Sequence, residues 1–120
     1  MIRDCSREVR KDGLRGGEGT AWVRALISGG ERLEGVSFVA FVRLEPGASL
    51  GYHDHIDEGE IYYILEGAGD FYTSPTDSIP VKAGDMTYLH KDQGHSITNT
   101  SDDDLLMLAI VYEDIVIDQD

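Results

Sequence analysis

Short apolar runs with a period of two, each closed by Gly, Pro, Asn or Asp, dominate the chain from residue 20 to residue 112. In "VSFVAFVRLE" (36–45), Phe38, Ala40, Val42 and Leu44 fall on one face and Val39, Phe41 and Arg43 on the other. That period belongs to a pleated strand, whose successive side chains point to opposite faces. No stretch of useful length has the apolar spacing of an amphipathic helix. The other clear strands are 20–27, 60–67, 69–74, 85–90, 95–100 and 105–112, with turn chemistry in "EPGAS", "EGAGD", "KAGD" and "NTSDDD". Short strands in this number, without helices, make an all-β sandwich or a closed barrel.

Two segments stand apart from the alternation. "LLMLAIVY" (105–112) is apolar on both faces, which predicts cover on both sides, inside the fold or in a subunit contact. Residues 1–20 are polar and glycine-rich and read as a mobile or draped arm ahead of one domain, 21–120. The closing "EDIVIDQD" alternates again and suggests an edge strand or a short tail. Trp22 and Phe38 read as core or subunit-contact residues.

Charge narrows the partners. Ten basic against 23 acidic side chains leave a net charge of −13. Binding a polyanion requires clustered Lys and Arg to displace counterions, so nucleic acid is not an expected partner. The same charge draws cations toward any concave acidic site. No apolar run approaches the ~20 residues of a membrane span. "MIRDCSREVRKDG" lacks the apolar core of a signal peptide, so the expected location is cytoplasmic. Cys5 is the single cysteine, which excludes an intrachain disulfide and a thiolate metal cluster.

All four histidines lie between residues 53 and 95. On a strand, "YHDH" sets His53 and His55 on one face with α-carbons about 7 Å apart. From there two imidazoles can converge on one ion at about 2.1 Å from each nitrogen. A His-x-His pair alone is also a common surface feature, so ligation needs donors from neighbouring strands. Glu60 lies just past the acidic turn "IDEGE", and a hairpin there would return its carboxylate to the pair. His95 opens a later strand that a sheet closed on itself can bring alongside. Asp54, Asp57 and Glu58 read as a solvated acidic turn, since they lack the spacing of a calcium loop.

At these residues the chain resembles the cupin superfamily of small β-barrels. The first cupin motif, G-x5-H-x-H-x(3,4)-E-x6-G, is met by Gly47, His53, His55, Glu60 and Gly67 at every fixed position. The second, G-x5-P-x-G-x2-H-x3-N, is met in part. Gly84, His95 and Asn99 fit, whereas His90 stands at the proline position and Asp92 at the glycine position. The resemblance covers roughly residues 36–112 and implies a cupin-type double-stranded β-helix, or jelly-roll, barrel.

It further implies one metal ion inside the barrel, held by His53, His55, Glu60 and His95. Three imidazoles and a carboxylate without thiolate suit a divalent transition ion: Mn, Fe, Ni, Zn or Cu. The function implied is a metal-dependent enzyme on a small organic molecule, of dioxygenase, isomerase or decarboxylase type. The alternative is a non-catalytic module that binds a metal or a small ligand, and a homodimer is expected in either case.

Two further residues are candidates for catalysis. His90 is either a rim residue standing in for proline or a general acid or base, and it shares strand parity with Met86 and Tyr88. Tyr62 shares parity with Glu60, faces the interior, and either packs there or donates a hydrogen bond to substrate.

Overall fold

The computed structural model describes residues 2–31 and 33–113, and among them it contains ten strands and no α-helix. They are β1 (Val9–Asp12), β2 (Thr20–Ile27), β3 (Val36–Leu44), β4 (Ser49–Asp54), β5 (Glu58–Glu66), β6 (Ala68–Tyr72), β7 (Ser78–Lys82), β8 (Met86–Leu89), β9 (Gly94–Asn99) and β10 (Leu105–Glu113). Two antiparallel sheets result, with orders β1-β2-β3-β10-β5-β8 and β4-β9-β6-β7. Their inner faces meet as a jelly-roll barrel. The alternating end "DIVIDQD" (114–120) lies outside the described residues.

Alternation decides which side chains form the core. Ala40, Val42 and Leu44 of β3, Tyr62 and Ile64 of β5, and Leu105, Met107, Ala109 and Val111 of β10 are all buried on the inner face of the larger sheet. Leu50, Phe71, Val81 and Ile97 answer them from the smaller sheet. Where Ala109 pairs with Ala40 on one side and Tyr62 on the other, two small side chains leave space that larger ones would fill.

β10 lies between β3 and β5, so the strand that was apolar on both faces occupies the middle of the larger sheet. Its outer residues Leu106, Leu108 and Ile110 are only half-buried, beside Val39, Phe41 and Ile61. Within one chain the expected two-sided cover is therefore incomplete.

The polar start is built into the sheet. β1 pairs with β2, setting Val9 opposite Val23 and Lys11 opposite Ala21. A tight turn, Leu14–Gly16, then lies against β4, and Leu14 packs on the core. The approach is backbone to backbone. A Cβ on Gly17 would sit 2.1 Å from the Ser49 carbonyl oxygen, and one on Gly51 would sit 2.1 Å from that of Arg15. Only glycine permits contacts of this kind.

Candidate metal centre

β4 pairs with β9 in a register that sets His53 directly opposite His95. Leu50 pairs with Ile97, so three steps on β4 match two on β9, and the extra residue forms a bulge around Gly51 and Tyr52. Bulges re-aim side chains. Here Leu50 and His55 are buried and His53 is nearly so, while Tyr52 and Asp54 are exposed. Regular alternation from Leu50 would instead have put Tyr52 and Asp54 inside and both histidines outside.

Glu60 arrives from the other sheet. β4 and β5 do not pair, so no hairpin returns its carboxylate; β5 runs between β10 and β8, and Glu60 reaches across the barrel interior. Its Oε1 lies 2.8 Å from Nε2 of His95, 3.0 Å from Nε2 of His55 and 3.5 Å from Nε2 of His53. The His53 and His95 Nε2 atoms are 3.1 Å apart. Neighbouring ligands at right angles about an ion, with bonds of about 2.1 Å, would themselves be about 3 Å apart. The donor atoms thus have the spacing of one coordination sphere, and the four side chains form a group able to hold a metal ion.

Burial alone would push the Glu60 carboxyl up. The hydrogen bonds from His53, His55 and His95 outweigh it and hold the group well below the usual carboxylate range. Burial lowers His95, with Glu60 opposing and His53 and His55 adding to the fall, so its imidazole favours the neutral form that ligation requires.

The outer ring nitrogens differ in their support. Nδ1 of His53 donates to the Gly51 carbonyl at 2.7 Å, which turns Nε2 of the ring toward the cluster. Nδ1 of His55 lies 3.9 Å from Glu58, and Nδ1 of His95 is buried without a hydrogen bond. Tyr62 stacks on the His95 ring at 4.7 Å between centroids, with its hydroxyl 3.2 Å from Nε2. Burial, and then the Glu60 charge, raise the Tyr62 hydroxyl well above its ordinary value, so it stays protonated.

A family model for the cupin domain matches residues 40–111, which hold all four clustered side chains. The chain belongs to the cupin family. An oxalate-binding protein of Thermotoga maritima is 39% identical over 102 residues, covering 85% of this cupin and 84% of the relative. Among solved structures, a predicted oxalate decarboxylase from Thermotoga maritima superposes with a TM-score of 0.85 at 36% identity, covering 94% of this chain and 99% of that one. A Cupin 2 conserved barrel domain protein from Salinispora arenicola gives a TM-score of 0.70 at 21% identity, over 93% and 87% of the two chains, and shares the fold.

In this cupin the cluster opens into a cavity of about 360 Å³ between the sheets. His53, His55, Glu60 and Tyr62 line it together with Val23, Phe38, Val42, Leu50, Ala109 and Val111. His90 is not brought there. β8 turns Leu89 inward, leaving Tyr88 and His90 exposed on the outer surface with their rings edge to face at 5.3 Å. The parity shared by Tyr88 and His90 holds, but the face is the outer one.

Glu58 is a correction. It begins β5 in phase with Glu60, accepts a hydrogen bond from the Ser37 hydroxyl at 2.6 Å and lines the cavity, whereas Asp54 and Asp57 are exposed. Its parity with Glu60 was the available signal. Lys11 and Arg15 also line the cavity, from the segment read as an arm. An exposed strand such as β1 carries no apolar pattern to announce them.

Proposed function

We propose that this cupin binds a divalent transition-metal ion through His53, His55, Glu60 and His95 and uses that centre to hold a small chelating carboxylate, with oxalate as the leading candidate. The observation that carries the reading is the set of donor separations, 2.8 to 3.5 Å, on the wall of an open cavity. A closed structural site would have no such space beside it. The ion would supply Lewis-acid binding of ligand oxygens. The protein would supply the rest: Gly51 orients His53, Tyr62 holds a hydroxyl proton beside the cluster, and Val23, Phe38, Val42 and Val111 exclude water. Oxalate is favoured by the relative named as binding it, and the cavity has room for it.

The test is metal analysis of the purified protein, followed by calorimetry with oxalate before and after chelation. About one ion per chain and metal-dependent oxalate binding are expected. Loss of the ion with unchanged oxalate binding would sink the reading.

Turnover is the second reading, favoured by the open cavity and by the solved relative called a predicted oxalate decarboxylase. In decarboxylation the carbon–carbon bond of hydrogen oxalate breaks, carbon dioxide leaves, and the proton ends on carbon as formate. Tyr62 and Glu58 are the protonatable oxygen groups on the cavity wall that could pass it on. Formate release from oxalate by the metal-loaded protein supports an enzyme; tight binding without formate supports the binding module.

The half-buried outer face around Leu108, Phe41 and Ile61 supports a second copy of the chain as its cover. Light scattering at micromolar concentration should then give a dimeric mass, and a monomeric mass would remove the point.

A further inference from the structure

We infer that Lys11 and Arg15, carried by β1 and the turn after it, form the anion-recognition part of the cavity and select a doubly charged ligand. The inference rests on the proposed metal-dependent carboxylate site and adds what decides the ligand's charge.

Three observations converge on it. First, register places Lys11 on the cavity side of β1, at an exposed position on its rim. It pairs with Ala21, which is buried, and Val9 pairs with Val23, which lines the cavity; the alternate residues Arg10 and Asp12 pair with each other through an ion contact on the outer side. Both Lys11 and Arg15 line the cavity, and among the described residues neither side chain is engaged in an ion pair.

Second, the backbone carrying Arg15 is costly. Arg15 is left-handed, with φ 57° and ψ 27°, a conformation that glycine adopts freely and that other residues rarely take. The turn is fastened on both sides, by Gly13 N–H to the Gly19 carbonyl at 3.0 Å and by the close contact of the Arg15 carbonyl with Gly51. Backbone outliers of this kind cluster at functional sites, and here the outlier carries a cation at the cavity.

Third, the charges in the cavity leave room for two negative ones. Its charged lining residues are Lys11 and Arg15 against Glu58 and Glu60, which cancel. A divalent ion on the neutral histidines then leaves an excess of two positive charges. A dianion neutralises that excess, a monoanion leaves half of it, and a neutral polyol leaves all of it. The protein as a whole carries −13 and repels dianions, so local cations are needed for one to enter.

The test compares Mn²⁺-loaded wild type, the double variant Lys11→Gln/Arg15→Gln, and the charge-keeping variant Arg15→Lys. Calorimetry measures Mn²⁺ alone, then oxalate, then glycolate, a chelator of similar reach with a single charge. The double variant should keep Mn²⁺ affinity within about threefold and lose oxalate affinity by about 10- to 100-fold, the range for lost hydrogen bonds to charged groups. Glycolate should weaken by clearly less, and Arg15→Lys should retain most oxalate affinity. Equal oxalate affinity in wild type and double variant overturns the inference while leaving the metal-dependent site standing. Equal loss of oxalate and glycolate overturns charge selection in favour of a general change at the mouth. If loaded wild type binds neither ligand, the proposed function falls, and this inference falls with it.

Discussion

Leu50 and His53 are three residues apart on β4 and both face the barrel interior, because the bulge between them absorbs the odd residue. The two clustered histidines therefore owe their direction to a local irregularity, and Gly51 within it serves two further ends. Its missing side chain admits the Arg15 carbonyl, and its own carbonyl fixes the His53 ring.

Replacing Gly51 by Val should disturb all of this together. A Cβ there would meet the Arg15 carbonyl oxygen at 2.1 Å and the Gly16 carbonyl carbon at 2.9 Å. Overpacking of this kind costs about 1–3 kcal/mol. Urea unfolding of the metal-free protein should show that loss, and metal titration should show weaker binding. An unchanged midpoint would mean that the turn does not rest on β4 as described.

Glu60→Gln tests the single anionic member of the cluster. The amide has the shape of the carboxylate but not its charge, so the barrel should persist while metal affinity falls by at least about 100-fold, beyond the 10- to 100-fold range of outer-shell changes. Elemental analysis after dialysis, with far-ultraviolet circular dichroism as the fold control, gives the answer. Retained metal at wild-type occupancy would exclude Glu60 as a ligand.

Acid should weaken the metal-free protein in two stages. Burial, the largest influence on His95, lowers it in the folded state, so the unfolded chain takes up its proton first and stability falls as pH drops below about 6.5. Glu60 is held low despite burial by its three histidine partners; its contribution is present above the unfolded value near 4.5 and fades as pH falls below it. Melting temperatures from pH 8 to pH 4 should decline in that order, and metal affinity should fall across the histidine range as protons compete for the ring nitrogens. A flat melting temperature from pH 8 to pH 5 would contradict the buried neutral His95.

Asn99, the end of the second motif, is a structural residue. It is fully buried; Nδ2 donates to the carbonyls of Leu44 and Asp103 at 3.0 and 2.8 Å, and Oδ1 accepts from the backbone and hydroxyl of Ser101, both at 2.9 Å. Asn99→Leu strands those partners and should cost about 2–4 kcal/mol, given 1–3 kcal/mol for each buried group left unsatisfied. Chemical denaturation measures it, and metal stoichiometry in the folded fraction should be unchanged. A stability loss under 0.5 kcal/mol, of the order of an ordinary surface change, would show that water replaces the amide.

The strands legible in the sequence were those with one face in the core. β3, β5, β9 and β10 announce themselves because alternate residues are buried along their length. β1 is exposed throughout and β7 buries only Val81, so neither offers a pattern. The four clustered residues could be found from spacing and motif, but their convergence depends on a bulge and on Glu60 crossing between sheets. Neither follows from local parity. Lys11 and Arg15 lay further out of reach, since their place at the cavity comes from pairing with β2 and from glycine contacts remote in sequence.

The position of β10 sets the order in which the site can come into being. All four donor residues have been synthesised once the ribosome passes His95, yet β5, which carries Glu60, lacks its central neighbour until residues 105–113 emerge. β3 waits for the same strand across more than sixty residues of chain. The cluster therefore depends on a strand made after all four of its residues, and a nascent chain halted before β10 would present its histidines without the central strand of the larger sheet.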